Sequence, residues 1–392
     1  MTEVFLCAQR RTPIGRYGGV LAGVRPDDLA ALVIDGLLDL HPGLAVDEVI
    51  LGCANQSGED NRNVARMAVL LSKLPETVPA LTINRLCASG LDAVIAGARA
   101  IRDGADVIIA GGVESMTRAP FVMAKSDAAF GRNPQMFDTT IGWRFVNDRI
   151  AATYGVESMP ETAENVAADH AISRADQDAY ALRSQARYDA GWHGADILSV
   201  TLPARKGEAE IIRADEHPRA TSLDRLAALP APFRTGGTVP AGNAAGINDG
   251  ACALILASAG AVKRYGLTPL ARVGAAATAG VAPRVMGLGP VAAVARLTAR
   301  AGLDPKDFDV IEVNEAFAAQ VLACTRAWGM ADDAGHVNAY GGGISMGHPL
   351  GMSGARIAAA AARRLQETGG KNALVTLCVG VGQGVALALH SV

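Results

Sequence analysis

The chain has 392 residues, which is enough for two or three domains because single hydrophobic cores stop growing at about 250–300 residues, so a lone small module is excluded. Half of the residues are hydrophobic and 19% are charged, with 44 glycines, which excludes a disordered chain and fits a compact α/β enzyme. The net charge of −3 is spread along the chain, so nucleic acid is excluded as the default partner and small polar metabolites take its place.

In chain order, short Val/Ile-rich runs alternate with Ala-rich helical stretches. The pattern predicts strand VFLCA (4–8), a helix from Pro26 to Leu40, strand EVILGCA (48–54) and a helix from Asn63 to Leu74. Strand ALTIN (80–84), a helix from Ser89 to Arg102 and strand DVIIAGG (106–112) follow. Strands that alternate with 10–15-residue helices indicate a parallel or mixed sheet covered on both faces. From about Pro120 to Pro240 the pattern changes to polar and aromatic segments, a helical pair within 161–191 and a basic tract to Arg234, which reads as an inserted domain. Regular α/β pattern then resumes: strand GACALILAS (250–258), a helix after Gly289, strand FDVIEVN (308–314), a helix to Trp328, a helix over 353–367, and strands NALVTLCV (372–379) and GVALALH (384–390). The two ends resemble weak repeats of one another, EVILGCANQ (48–56) with DVIEVNEAF (309–317) and SGLDAV (89–94) with SGARIA (353–358). A true repeat would bring Cys87 and His348 toward one site.

The six cysteines at 7, 53, 87, 252, 324 and 378 form no CxxC pair, and neither they nor the seven histidines have metal-ligand spacing. Cys7, Cys53, Cys252 and Cys324 read as small buried hydrophobes. No run reaches the roughly 18 apolar residues needed to span a bilayer. With no secretory pattern at MTEVFLCAQRR and no peroxisomal signal at HSV, a cytoplasmic protein with free thiols and no membrane association is expected.

Three loops can carry chemistry. Cys87 in NRLCASG (84–90) sits between a strand and the first turn of a helix, where unpaired N–H groups and the helix dipole should lower its pKa and favour the nucleophilic thiolate. A buried corner cysteine is the alternative. His348 in YGGGISMGHPLGMSG (340–354) can act as a base for a thiol or as a donor to a carbonyl, or be a plain surface histidine. Cys378 ends an apolar strand before GVGQG (380–384), as a reactive thiol or as a core cysteine, and Asn314 opens a helix as a catalytic amide or as an N-cap. GISMG (343–347) matches the hydrolase Gly-x-Ser-x-Gly pattern, but no Asp follows Ser345, which disfavours that triad. GVGQG lacks the spacing and the following helix of a dinucleotide fingerprint.

Taken together, NRLCASGLDAV (84–94), GGVESM (111–116), AGNAAGINDGA (241–251), VNEAFAAQ (313–320), GGGISMGHPLGMSG (341–354) and LCVGVGQGVA (377–386) resemble the thiolase family, in the family's order and from Arg11 to the C-terminus. The resemblance implies two similar α/β domains in a five-layered α-β-α-β-α arrangement with an inserted loop domain. The expected division is 1–119 plus 246–268, a loop domain over 120–245, and 269–392. It implies that Cys87 carries the acyl group as a thioester, that His348 activates it and donates to the thioester oxygen, and that Cys378 moves the α-carbon proton. Asn314 would hold a water that completes one oxyanion site, and the N–H groups of Cys87 and Gly380 would form another. Coenzyme A and acyl-CoA are the implied partners, with coenzyme A as co-substrate, no permanent cofactor, no metal, and a homodimer or homotetramer by family habit.

By the same resemblance Met159, Ala245, Met286, Ala316 and Phe317 line the acyl and pantetheine region. The family's basic residue for the coenzyme A phosphates has no clean counterpart around LAALPAPFRTGG (226–237), and Arg225 and Arg234 are the two candidates. The chain departs from the family pattern at Ala245, where Ser is common, at Tyr340, and at Ser345-Met346 in place of Ala-Leu. GCANQSGEDNRNVARMA (52–68), DTTIGWRFVN (138–147) and SMPETAENVA (158–167) look like the thiolases that cleave 3-oxoadipyl-CoA to succinyl-CoA and acetyl-CoA. The substrate's terminal carboxylate needs a cationic or N–H partner, which Arg132, Arg144 or Arg149 could supply unless they are solvated or intersubunit arginines. The alternatives are a general acetyl-CoA acetyltransferase, a fatty-acid 3-ketoacyl-CoA thiolase, a decarboxylating condensing enzyme, which usually lacks the second cysteine, or a non-catalytic acyl-CoA-binding relative.

Overall fold

The computed structural model describes residues 2–202 and 208–392, so residues 203–207 of the basic tract lie outside the described residues. Nine strands form one row: β1 (Val4–Arg11), β2 (Glu48–Gly52), β3 (Ala80–Ile83), β4 (Val107–Ser115), β5 (Asn248–Ser258), β6 (Ala271–Gly280), β7 (Val310–Val313), β8 (Asn372–Val379) and β9 (Gln383–His390). Their spatial order is β7-β8-β9-β6-β1-β5-β4-β2-β3, with the short strand Gly15–Arg16 paired to β5. The principal helices are α1 (Pro26–Leu40), α2 (Val64–Leu71), α3 (Ser89–Arg102), α4 (Met159–Asp169), α5 (Arg174–Arg187), α6 (Gly289–Ala301), α7 (Ala318–Ala327) and α8 (Leu350–Thr368).

The row consists of two copies of one topology. In β1-β5-β4-β2 the successive pairings are antiparallel, antiparallel and parallel. The run β6-β9-β8-β7 repeats them. Within the sheet the halves pair at Phe5 opposite Arg272 and Leu6 opposite Ala271. The repeat expected from the sequence is therefore present, with α3 leading to β4 as α8 leads to β8.

Side-chain parity builds the layers. Val107, Ile109 and Val113 of β4 pack with α1 and α2, while Ile108 and Ala110 pack with α3 and α8. In the second half Leu387 and Leu389 of β9 face the central helices, and Ala386 and Ala388 face α6 and α7. The order is thus α1/α2, sheet, α3/α8, sheet, α6/α7, five layers as expected. The sequence reading assigns no strand to 271–280, where β6 lies. Its small residues Ala277 and Ala279 let α6 approach closely, so the strand carries little of the Val/Ile signature.

At the centre α3 and α8 meet backbone to backbone. A Cβ on Gly90 would lie 2.4 Å from the Gly351 carbonyl oxygen, and one on Gly354 would lie 2.3 Å from the Leu91 nitrogen. Only glycine allows this crossing, which sets the start of α3, just after Cys87, against the start of α8, just after His348. The segment between β4 and β5 supplies α4 and α5, which pack on α7. A buried bidentate ion pair, Arg11 to Asp215 at 2.7 and 2.9 Å, pins this segment to β1, and the Tyr188 hydroxyl donates to the same carboxylate at 3.1 Å.

Candidate active site

Cys87 occupies a single 3₁₀ turn, Leu86–Ala88, between β3 and α3. Leu86 before it has φ +45°, and Val381, in the turn between β8 and β9, has φ +63°. Both are costly conformations for these side chains, of about 1–3 kcal/mol each, held by the surrounding packing. The turn containing Val381 brings the Gly380 N–H onto the Cys87 sulfur, which also accepts from its own N–H. The lowered thiol pKa expected from the helix start is not found. Burial pushes the Cys87 thiol up to about 11, outweighing the two N–H donors, and the Glu114 carboxyl adds to the rise.

Cys378, near the end of β8, is fully buried, and burial pushes its thiol well above the usual range, with the neighbouring Cys87 contributing. It belongs to a buried apolar cluster with Met286, Ala316, Phe317, Ala163 and Val239, against which Met159 packs. Ala245 is half-buried, and its N–H donates to the Ala316 carbonyl at 2.9 Å. Arg234 is committed to Asn165 Oδ1 at 2.6 Å and to the Glu161 carbonyl at 3.3 Å, whereas Arg225 stands exposed on the short helix Leu223–Ala227.

His348 is held at three points. Its N–H donates to Asn248 Oδ1 at 2.9 Å, its Nδ1 lies 2.6 Å from Ser353 Oγ, and its Nε2 lies 3.2 Å from Asn314 Nδ2. Ser353 Oγ donates to the Pro349 carbonyl at 2.8 Å, so it is left to accept from Nδ1–H, and Nε2 carries the lone pair that faces the Asn314 amide. Burial, and then the Arg356 charge, pushes the imidazole down to about 3, so it is neutral at pH 7. Asn314 Oδ1 is buried with no partner among the described residues.

In front of Cys87 lies a cavity of about 380 Å³, within the size range of small-molecule sites. Leu86, Met116, Met159, Leu350, Gly380 and Val381 line it, together with residues 139–144 of the inserted segment. His348, Asn314 and Cys378 are buried and do not line it, and no hydrogen bond joins the Cys87 thiol to the imidazole. Catalytic bonds of this kind commonly tighten only when substrate binds.

Sequence reasoning gave no role to Asn248, Ser353 or Glu114, although all three stand in quoted motif blocks. Glu114 accepts N–H bonds from Ala54 (2.9 Å), Asn55 (3.0 Å) and Gly351 (2.9 Å), tying β4 to the loop after β2 and to the start of α8. Ser345 is fully buried with its hydroxyl bonded to Gly342, which removes it as a nucleophile. Cys7, Cys53, Cys252 and Cys324 are free and buried, as expected. Among the described residues no group of three or more His, Cys, Asp or Glu is placed to hold a metal, and no helix is long and apolar enough to cross a membrane.

A thiol beneath two backbone N–H groups, a second thiol beside it and a neutral imidazole joined to an amide are groups suited to acyl transfer through a thioester. The models of the "Thiolase, N-terminal domain" and the "Thiolase, C-terminal domain" match residues 4–260 and 267–391. The chain is 57% identical to a beta-ketoadipyl-CoA thiolase of Pseudomonas aeruginosa, over 100% of this chain and 99% of the relative. It is 58% identical to the 3-oxoadipyl-CoA/3-oxo-5,6-dehydrosuberyl-CoA thiolase of Escherichia coli K12, over the whole of both chains. The human mitochondrial 3-ketoacyl-CoA thiolase in complex with CoA superposes with a TM-score of 0.90 at 39% identity, covering 100% of this chain and 98% of that one. The chain belongs to the thiolase family.

Proposed function

We propose that the protein cleaves 3-oxoadipyl-CoA with coenzyme A to give succinyl-CoA and acetyl-CoA. The observation that carries this reading is the full-length likeness to thiolases named for that substrate, together with a cavity that opens on Cys87. His348 takes the thiol proton as the Cys87 sulfur attacks the 3-oxo carbon, and the oxyanion forms against the N–H groups of Cys87 and Gly380. In the resting site these N–H groups point at the sulfur itself. The C2–C3 bond breaks, its electron pair forms the enolate of acetyl-CoA, and the Cys378 thiol protonates C2. Acetyl-CoA leaves and a succinyl group remains on Cys87 as a thioester. A second coenzyme A gives its thiol proton to the Cys378 thiolate as its sulfur takes the acyl group, and His348 returns its proton to the departing Cys87 sulfur.

With the thiol at about 11 and the imidazole at about 3, the proton rests on sulfur until attack begins. Charge that develops on the thioester oxygen near His348 and Asn314 is what makes the transfer feasible. The unpartnered Asn314 Oδ1 suits a water that completes this oxyanion site. The pantetheine passes Ala245, Met286 and Phe317. Arg225, with its guanidinium exposed, is better placed for phosphate than the committed Arg234.

The domains divide as 1–119 with 246–268, 120–245 and 269–392. The protein is a cytoplasmic homo-oligomer: β3 is an open edge strand with Leu81 exposed, and the hairpin Phe121–Met123/Met136–Asp138 carries exposed Phe121, Met123 and Met136. The chemistry is tested by mixing the enzyme with 3-oxoadipyl-CoA without coenzyme A and mapping the adduct by mass spectrometry. A succinyl group on the Cys87 peptide is expected; an unmodified Cys87, or acylation elsewhere, contradicts the mechanism.

A further inference from the structure

The polar lining of the cavity before Cys87 is almost fully committed. Asn55 Nδ2 donates to Thr139 Oγ1 at 2.9 Å, Thr140 N–H to Asp138 at 2.8 Å and Trp143 Nε1 to the Glu157 carbonyl at 3.2 Å. Glu157 Oε1 accepts from Asn165 at 3.0 Å, and Glu114 holds its three N–H donors. Arg144 is different. It is the only cationic residue on the lining and is half-buried, and it makes no hydrogen bond or ion pair among the described residues. Its neighbours fix the segment that carries it: Trp143 through the bond to Glu157, and Phe145 through an edge contact with Phe137 at 4.9 Å. Arg132 and Arg149 are exposed and do not line the cavity.

We infer that Arg144 is the specificity-determining residue for the acyl chain, receiving the terminal carboxylate of the substrate and then that of the succinyl group on Cys87. This rests on the dicarboxylic-substrate reading above. A carboxylate that enters this cavity finds Glu114 and Glu157, which are acceptors already holding their own N–H partners, and Arg144 as the cation able to hold it there. The guanidinium fork matches a carboxylate bidentately, and Leu86, Met116, Met159 and Val381 supply apolar surface for the intervening methylenes. A neutral chain of the same length leaves the half-buried cation unpaired, so the residue favours the diacid and disfavours its neutral analogue.

The test is the ratio of kcat/KM for 3-oxoadipyl-CoA to that for 3-oxohexanoyl-CoA, which replaces the carboxylate by a methyl group. It is measured in the wild type, Arg144→Gln, Arg144→Lys and Arg149→Gln. The wild-type ratio should lie well above one and fall about tenfold to a hundredfold in Arg144→Gln, as expected for loss of a charge-assisted hydrogen-bonded pair, mainly through KM. Arg144→Lys should keep part of the ratio and Arg149→Gln all of it. A high wild-type ratio that survives Arg144→Gln overturns the assignment of Arg144, whereas a wild-type ratio near one overturns the dicarboxylic reading beneath it.

Discussion

Cys87 shows how far a single residue can be read from its neighbours in sequence. NRLCASG places it correctly at the start of α3, but its protonation is set chiefly by burial, against the N–H groups of Gly380 and Cys87, with a smaller rise from Glu114. The local sequence reveals neither the burial nor the distant Gly380 and Glu114. Because the thiol is raised rather than lowered, little thiolate exists at pH 7, and the thiolate fraction grows about tenfold per pH unit up to the raised value. Alkylation of the free enzyme by iodoacetamide, followed at the Cys87 peptide, should therefore climb from pH 7 to 10 without a plateau; a plateau below pH 8 would reveal a resting thiolate–imidazolium pair. Asn314 reads equally as an N-cap in the sequence. Its contact with His348 Nε2 spans 34 positions, and the unpartnered Oδ1 separates the two roles. Asn314→Ala should lower kcat about 10²-fold with little change in thermal stability, as for loss of an oxyanion-site donor; a change confined to stability would make it a structural amide.

At the scale of elements, the helices with strong apolar periodicity were legible almost to the residue, such as α1, which also opens on Pro26, and α3, because local sequence determines them. β6 was not legible, because its role is to be thin under α6, and thinness leaves no hydrophobic alternation. The α3–α8 crossing was also hidden, since nothing in the sequence says which backbone faces the glycines at 90 and 354. Gly90→Ala should cost about 3 kcal/mol or more, because the atoms it would strike are the Gly351 carbonyl and the Ala355 nitrogen, neither of which can rotate away. Denaturant unfolding checks this, and an unchanged midpoint would mean that the helices are free to separate. Glu114→Ala leaves three buried N–H groups unpaired and should destabilise by about 2–5 kcal/mol, with a loss of kcat from the shifted start of α8.

For the whole molecule, the internal repeat explains why chemistry-bearing residues far apart in the chain converge. Each half contributes the start of its central helix, Cys87 before α3 and His348 before α8, and the second half adds Asn314 after β7 and Cys378 near the end of β8. The repeat was faintly visible in the sequence because only the strand cores and helix starts are shared, while the inserted segment interrupts the first copy. The exposed edge of β3 and the apolar hairpin predict that light scattering after gel filtration gives at least a dimer. A monomer at micromolar concentration would remove that proposal.

The most direct test of the central claim is coenzyme A-dependent cleavage of 3-oxoadipyl-CoA, measured beside acetoacetyl-CoA and a medium-chain 3-oxoacyl-CoA, with Cys87→Ala as control. The account predicts the highest kcat/KM for 3-oxoadipyl-CoA and no turnover above background for the variant. A higher value for either neutral substrate would contradict the substrate assignment, and turnover by Cys87→Ala would contradict the mechanism.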